Sequence, residues 1–107
     1  MPMRPEDRRL LALFSARVRA LEPCARIWAF GSRARGDHVP DSDLDVCVVV
    51  PAPTESLREQ VSLAAWEVGF DNDALITAVV FSEDDFENGM MSVSSLVSNI
   101  RREGVAA

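Results

Sequence analysis

The sequence predicts an α/β (α+β) fold with a small sheet of three or four strands. Three features of the residue pattern predict it. Amphipathic stretches carry apolar residues at helical spacing, short apolar runs lie between turn signals, and the two kinds alternate along the chain. The order read in this way is α-β-(short α)-β-α-β-α. No repeat, low-complexity tract or linker breaks it, so residues 1–107 are expected to form a single domain.

Each element has a local reason. Leu10/Leu11, Phe14, Val18 and Leu21 recur at helical spacing, with Arg8, Arg9, Arg17 and Arg19 mainly off that stripe, and the helix ends before Pro23. Arg26-Ile27-Trp28-Ala29-Phe30 is short, apolar and bounded by Pro23 and Gly31, as a buried strand is. Ser32 to Gly36 forms one or two helical turns with Ser32 as N-cap. Residues Asp37 to Ser42 are turn chemistry. Asp43 to Val50 reads as a strand apolar enough at its far end to be central in a sheet. Thr54 caps a helix with Leu57, Val61, Ala64/Ala65 and Val68 on its inner face. Asp71-Asn72-Asp73 turns the chain into a third strand, Ala74 to Phe81. Ser82 and Asp85 begin a short helix that Gly89 ends. Val93, Leu96/Val97 and Ile100 mark a last helix, with Arg101 and Arg102 in its final turn.

Composition narrows the function classes. Seventeen acids against eleven bases give a net charge of −6, a field that repels polyanions and argues against non-specific nucleic-acid binding. Every base is an arginine. The absence of lysine excludes Schiff-base chemistry and a Walker A loop, and the glycine spacing is not that of a dinucleotide fingerprint. No apolar run is long enough to span a bilayer, and the first residues carry charge without an apolar stretch, so a cytoplasmic setting is expected. Cys24 and Cys47 have no partner at metal-ligand spacing and are expected to be packing residues, as are Trp28 and Trp66. His38 is expected to be a solvated loop residue.

The chemistry concentrates between Phe30 and Val46. A strand ending in Gly31-Ser32 and turning into a helix presents unpaired amides and a hydroxyl to an anion. Asp43 and Asp45, two apart on a strand, point to one face about 6.5–7 Å apart along the backbone. Two such carboxylates repel unless a cation lies between them, and magnesium takes a few carboxylate oxygens while leaving positions for phosphate. A late strand start would make Asp41, Asp43 and Asp45 solvated turn acids, but Leu44 and Val46 already supply the alternate buried face. Arg33 and Arg35 suit a triphosphate in charge, and at their spacing only one is expected to face it.

Gly31-Ser32 followed after ten residues by Asp43-Leu44-Asp45 resembles the signature of the polymerase-beta nucleotidyltransferase superfamily. The fuller wording, Phe30 to Asp37 with Asp41 to Val46 and the closing Asn99 to Val105, resembles its minimal nucleotidyltransferases. The resemblance covers most of the chain from Ile27 onward. It implies a polymerase-beta-like nucleotidyltransferase fold, a small mixed sheet flanked by helices. It implies that Gly31, Ser32 and the amides after Gly31 hold the β/γ-phosphates of a nucleoside triphosphate, while Asp43 and Asp45 bind Mg²⁺. It also implies a third carboxylate on the next strand. Aligned through Val79-Val80-Phe81-Ser82, that place falls at Leu75 or Thr77, leaving Asp73, of the same strand parity, as the acid nearby.

Two functions are expected from this. The first is Mg²⁺-dependent transfer of a nucleotide, AMP from ATP, to a hydroxyl, with a HEPN-type toxin, for which the chain is the antitoxin, as the expected acceptor. In it Asp43, Asp45 and Asp73 are catalytic. The second is a degenerate nucleotide-binding antitoxin or interaction module that neutralises its partner by complex formation. The oligomeric state stays open.

Overall fold

The computed structural model describes residues 3–37, 42–88 and 95–107. Helix α1 (Pro5–Leu21) opens on a proline, whose missing N–H has no helical partner at that position, with Glu6 and Asp7 in its first turn. Strand β1 (Arg26–Phe30) runs directly into the one-turn helix α2 (Gly31–Ala34). Strand β2 (Leu44–Val50) leads to α3 (Glu55–Asp71), capped by the Thr54 hydroxyl, which accepts from the Leu57 amide at 3.0 Å. After β3 (Ile76–Ser82), the Ser82 hydroxyl accepts from the Asp85 amide at 3.0 Å and starts α4 (Glu83–Glu87). Helix α5 (Ser95–Glu103) and the two-residue β4 (Val105–Ala106) follow. Among the described residues no helix is long and apolar enough to cross a membrane.

The strands form one mixed sheet in the order β3-β2-β1-β4. β1 is antiparallel to β2 and β4, whereas β2 and β3 are parallel and joined by α3, as a parallel pair needs a long crossover. β2 is central and apolar on both faces. Leu44, Val46, Val48 and Val50 pack with Leu10, Phe14 and Val18 of α1 and Val61 and Ala64 of α3. Cys47 and Val49 face the other way, against Phe86 of α4 and Val97 and Ile100 of α5. Period two puts Asp45 on this second face, at the half-buried start of the strand, with Asp43 just ahead of it. Among the described residues the helices thus cover both faces of the sheet and leave one corner of it open.

The mixed four-stranded sheet flanked by helices agrees with the expected fold, and several local expectations do not. Ser32 is not an N-cap: α2 begins at Gly31, and Phe30 occupies the cap without a side-chain bond. β2 begins at Leu44 and β3 at Ile76, so Asp43 and Ala74 lie just before their strands. β4 was not expected at all. Trp66 is 61% exposed rather than core. Trp28 is half-buried and stacked on Phe86 at 5.5 Å between ring centroids. Cys24 is exposed and Cys47 fully buried, where burial pushes its thiol up to about 12 against a smaller downward pull from Arg26. The expectations for His38, Asp41, Gly89 and Val93, and for the Leu96 side chain, lie outside the described residues.

Phe14 is fully buried between the sheet and α3. Phe14→Ala is expected to cost about 3–5 kcal/mol and Thr54→Ala about 1 kcal/mol, both read from urea unfolding curves. A Phe14→Ala loss no larger than that of the cap would contradict this packing.

Candidate functional site

The open corner is organised by the β1–β2 register. Phe30 lies opposite Asp45, and the chain must turn at the next residue. Gly31 makes that turn at φ +79°, a conformation that side chains rarely adopt. A Cβ on Gly31 would lie 2.7 Å from Asp45 Oδ2 and would push that carboxylate aside. Ser32 follows in α2, half-buried, its carbonyl accepting from the Asp37 amide at 3.0 Å.

Asp43 sits two residues before Asp45, one residue ahead of β2, close enough for its charge to act on the Asp45 carboxyl. The parallel register sets Thr77 beside Asp45, and the Thr77 hydroxyl donates to Asp43 Oδ2 at 2.8 Å. Burial, and next the negative charge of Asp43, push the Asp45 carboxyl above its ordinary value. The two carboxylates therefore repel, as their spacing requires.

Arg33, Asp43 and Asp73 line a groove of about 560 Å³ that is walled by Gly69, Phe70 and Leu75. Arg33 is held there from behind: its Nη1 donates to Asp7 Oδ1 at 2.9 Å, and Asp7 is only 4% exposed. Arg35 is held elsewhere, its Nε on Asp37 at 3.0 Å and its Nη1 on Glu103 at 3.3 Å. The hydrogen bond to Asp37 is the main reason its guanidinium binds its proton more tightly than usual. Asp73 does not share a strand face with Leu75 and Thr77, contrary to expectation. It precedes β3 in a turn at φ 54°, a left-handed conformation that aspartate tolerates, and it reaches the groove from there.

The structure thus brings Arg33, Asp43 and Asp73 to one groove and seats Asp45 against Gly31, while Arg35 is tied toward α5. Asp7 and Phe70 escaped sequence reasoning, as did the hydrogen bond from Thr77, a residue named from the sequence only as a place for a third acid. Asp7 had a signal, since it extends the stripe of Leu10/Leu11, Phe14 and Val18 by one turn and is an acid on an apolar face. The contacts of Thr77 and Phe70 depend on strand register and helix end, which periodicity does not give.

The sequence profile described as Nucleotidyltransferase domain matches residues 11–103. The chain belongs to that family. A chain in the crystal structure of the toxin-antitoxin MntA-HpeT, a mutant form, shares the fold with a TM-score of 0.58 at 16% identity, covering 94% of this chain and 70% of that one. A search of curated proteins finds no significant match.

Nucleotidyltransferase domains generally use a divalent metal such as Mg²⁺. Among the described residues no group of three His, Cys, Asp or Glu side chains is placed to hold a metal ion. Magnesium asks for less, one or two carboxylates with substrate phosphates and waters completing its shell. The mutually repelling Asp43 and Asp45 fit that need.

Two outcomes follow for the metal-free nucleotidyltransferase domain. Gly31→Ala is expected to lose about 1–2 kcal/mol in chemical unfolding, through its positive φ and its clash with Asp45, and to lose less in an Asp45→Ala background. Equal losses in both backgrounds would separate the turn from the carboxylate. A carboxyl that holds its proton more tightly in the folded chain is destabilising once ionised. Stability should therefore fall as pH rises from the ordinary carboxylate range through the raised value of Asp45, and Asp45→Asn should flatten that fall and be more stable at pH 7. Urea titrations from pH 3.5 to 7 in magnesium-free buffer read both.

Proposed function

We propose that this nucleotidyltransferase domain moves AMP from ATP to a hydroxyl on a protein acceptor, with Mg²⁺ held by Asp43 and Asp45. The observation that carries this reading is the close approach of the Asp45 carboxylate to the Gly31 turn, beside a groove shared by Asp43, Asp73 and Arg33. It sets an anion-accepting turn against a pair of metal-binding acids.

Each residue then has a task. Gly31 leaves its backbone open to close approach, and Ser32 with the amides that follow holds the β/γ-phosphates. Arg33, fixed by buried Asp7, offers a cation at the groove; Arg35, tied to Asp37 and Glu103, is the lesser phosphate contact. A bound magnesium ion neutralises phosphate charge and favours loss of pyrophosphate. The acceptor oxygen forms its bond to the α-phosphorus, and Asp73 takes the hydroxyl proton.

The acceptor is proposed to be a HEPN-type toxin, with this chain its cytoplasmic antitoxin. The shared fold with a chain of a toxin-antitoxin structure supports that setting, and the net charge of −6 suits a basic partner.

One observation favours a second reading. The register pairs Asp45 with Thr77, so no acid faces the pair from β3. A domain without a proton acceptor would bind nucleotide and neutralise its partner by complex formation alone.

Incubation with radiolabelled ATP and a purified HEPN-type toxin, followed on a gel, tests the transfer. Label on the partner is the expected result. Asp43→Asn with Asp45→Asn should abolish Mg·ATP binding in calorimetry without unfolding the chain. Asp73→Asn should keep that binding and slow transfer by about 10²–10⁴-fold. Intact Mg·ATP binding with no label would replace this reading by the second one. Equal label with Asp73→Asn would remove the base role from Asp73.

A further inference from the structure

Helix α3 is apolar on two sides. Val61, Ala64, Ala65 and Val68 are buried against the sheet and α1. Leu63, Trp66 and Phe70 stand on the opposite side, 56%, 61% and 71% exposed. Trp66 and Phe70 stack in water at 5.1 Å between ring centroids, 12° from parallel. Leu75, 59% exposed, continues the patch beyond the Asp73 turn. A helix apolar all round belongs in a buried setting, and a contiguous exposed patch of this kind marks an interface.

The charges around the patch identify what covers it. Glu55, Glu59 and Asp71 lie along the same helix and Asp73 just past its end, all exposed. The single base of α3, Arg58, donates to the Val80 carbonyl at 2.8 Å, toward the sheet. Glu67 is paired with Arg17 at 2.9 Å. Two bases also reach this edge, Arg9, which donates to Asn72 Oδ1 at 3.2 Å, and Arg33 in the groove, which is already paired with Asp7, so the exposed acids leave the border acidic on balance. Phe70 and Leu75 also wall the groove that holds Asp43, so the patch runs into the site without a break.

We propose that Leu63, Trp66, Phe70 and Leu75 are the docking surface for the acceptor protein, whose matching face is apolar at its centre and basic at its rim. This rests on the transfer reading above, in which an acceptor must reach the groove. A second copy is the wrong occupant, because two such faces would set Glu55, Glu59 and Asp71 against acids. The nucleotide is also the wrong occupant. Leu63 lies about 10 Å along the helix from Phe70, beyond a base held at the groove.

Binding of the full chain to the purified HEPN-type protein is measured by calorimetry without nucleotide, and Mg·ATP binding is measured on the chain alone. All substituted residues are exposed, and matching unfolding curves check the fold. Trp66→Ser and Leu63→Ser should each weaken protein binding about 30-fold or more, as interface anchors do, and leave Mg·ATP affinity unchanged. Glu59→Lys with Asp71→Lys should weaken it and reduce its salt dependence. Unchanged protein affinity in Trp66→Ser, no binding by the wild-type chain, a loss of Mg·ATP affinity, or a wild-type dimer that Trp66→Ser dissociates would each overturn the docking surface. The two readings fail separately. Label transferred by a Trp66→Ser chain that binds as wild type sinks the surface and spares the transfer. Tight, Trp66-dependent binding without any label sinks the transfer and spares the surface.

Discussion

The antiparallel pairing of β1 with β2 determines where the chain can turn and what meets it there. With Phe30 opposite Asp45, the residue that follows has to double back beside a carboxylate, and a side chain on it would push that carboxylate aside. A shift of one residue in that register would turn Asp45 toward α1 and α3 and bury it among Leu10, Phe14 and Val61. The valines of β2 prevent the slip. They are buried on both faces, and their packing against two helical layers fixes the strand so firmly that two like charges can be kept side by side at its end.

The same rigidity organises the groove. α3 leaves the far end of β2, covers the sheet and returns at Gly69, where an added Cβ would meet the Ala74 carbonyl oxygen at 2.7 Å. That tight closure brings Asp73 and Phe70 into the groove that Asp43 lines. On the other flank, Asp7 reaches from α1 to Arg33 through a nearly dry contact, so the first helix is tied to the turn that follows β1. Breaking a pair of this kind leaves a charge without a partner inside the protein.

Much of this was legible in the residues. A central strand shows as the unbroken run to Val50, and the acids at its start show as Asp43 and Asp45 beside the apolar Leu44 and Val46. The Thr54 cap and the Gly31 turn are local chemistry. What stayed hidden depends on neighbours remote in sequence. Trp66 sits at helical spacing with buried residues, yet spacing does not choose between two apolar sides of α3, and only the packing against α1 and β3 decides. Asp73 could be given a strand parity only if its strand began before it; the left-handed turn removes that premise. β4 is two residues long, too short for any pattern, and exists because β1 offers it an edge. Ser32 lost its cap role to a helix whose cap lies two residues earlier, at Phe30, a margin at which helix ends are always uncertain from sequence.

The two cysteines differ in a way that makes the chain its own reporter. The thiolate is the form that attacks an alkylating reagent, so a side chain fully enclosed in β2 whose proton is held up to about 12 is silent in the folded protein, whereas Cys24 is open to reagent. Cys47 becomes reactive only when the central strand leaves its neighbours, an event that dissolves both layers at once. The rate at which it is alkylated therefore counts whole-molecule openings, with Cys24 as the internal reference in the same sample. Because Cys47 lies two residues from Asp45, the count is taken on the strand that carries the paired charges.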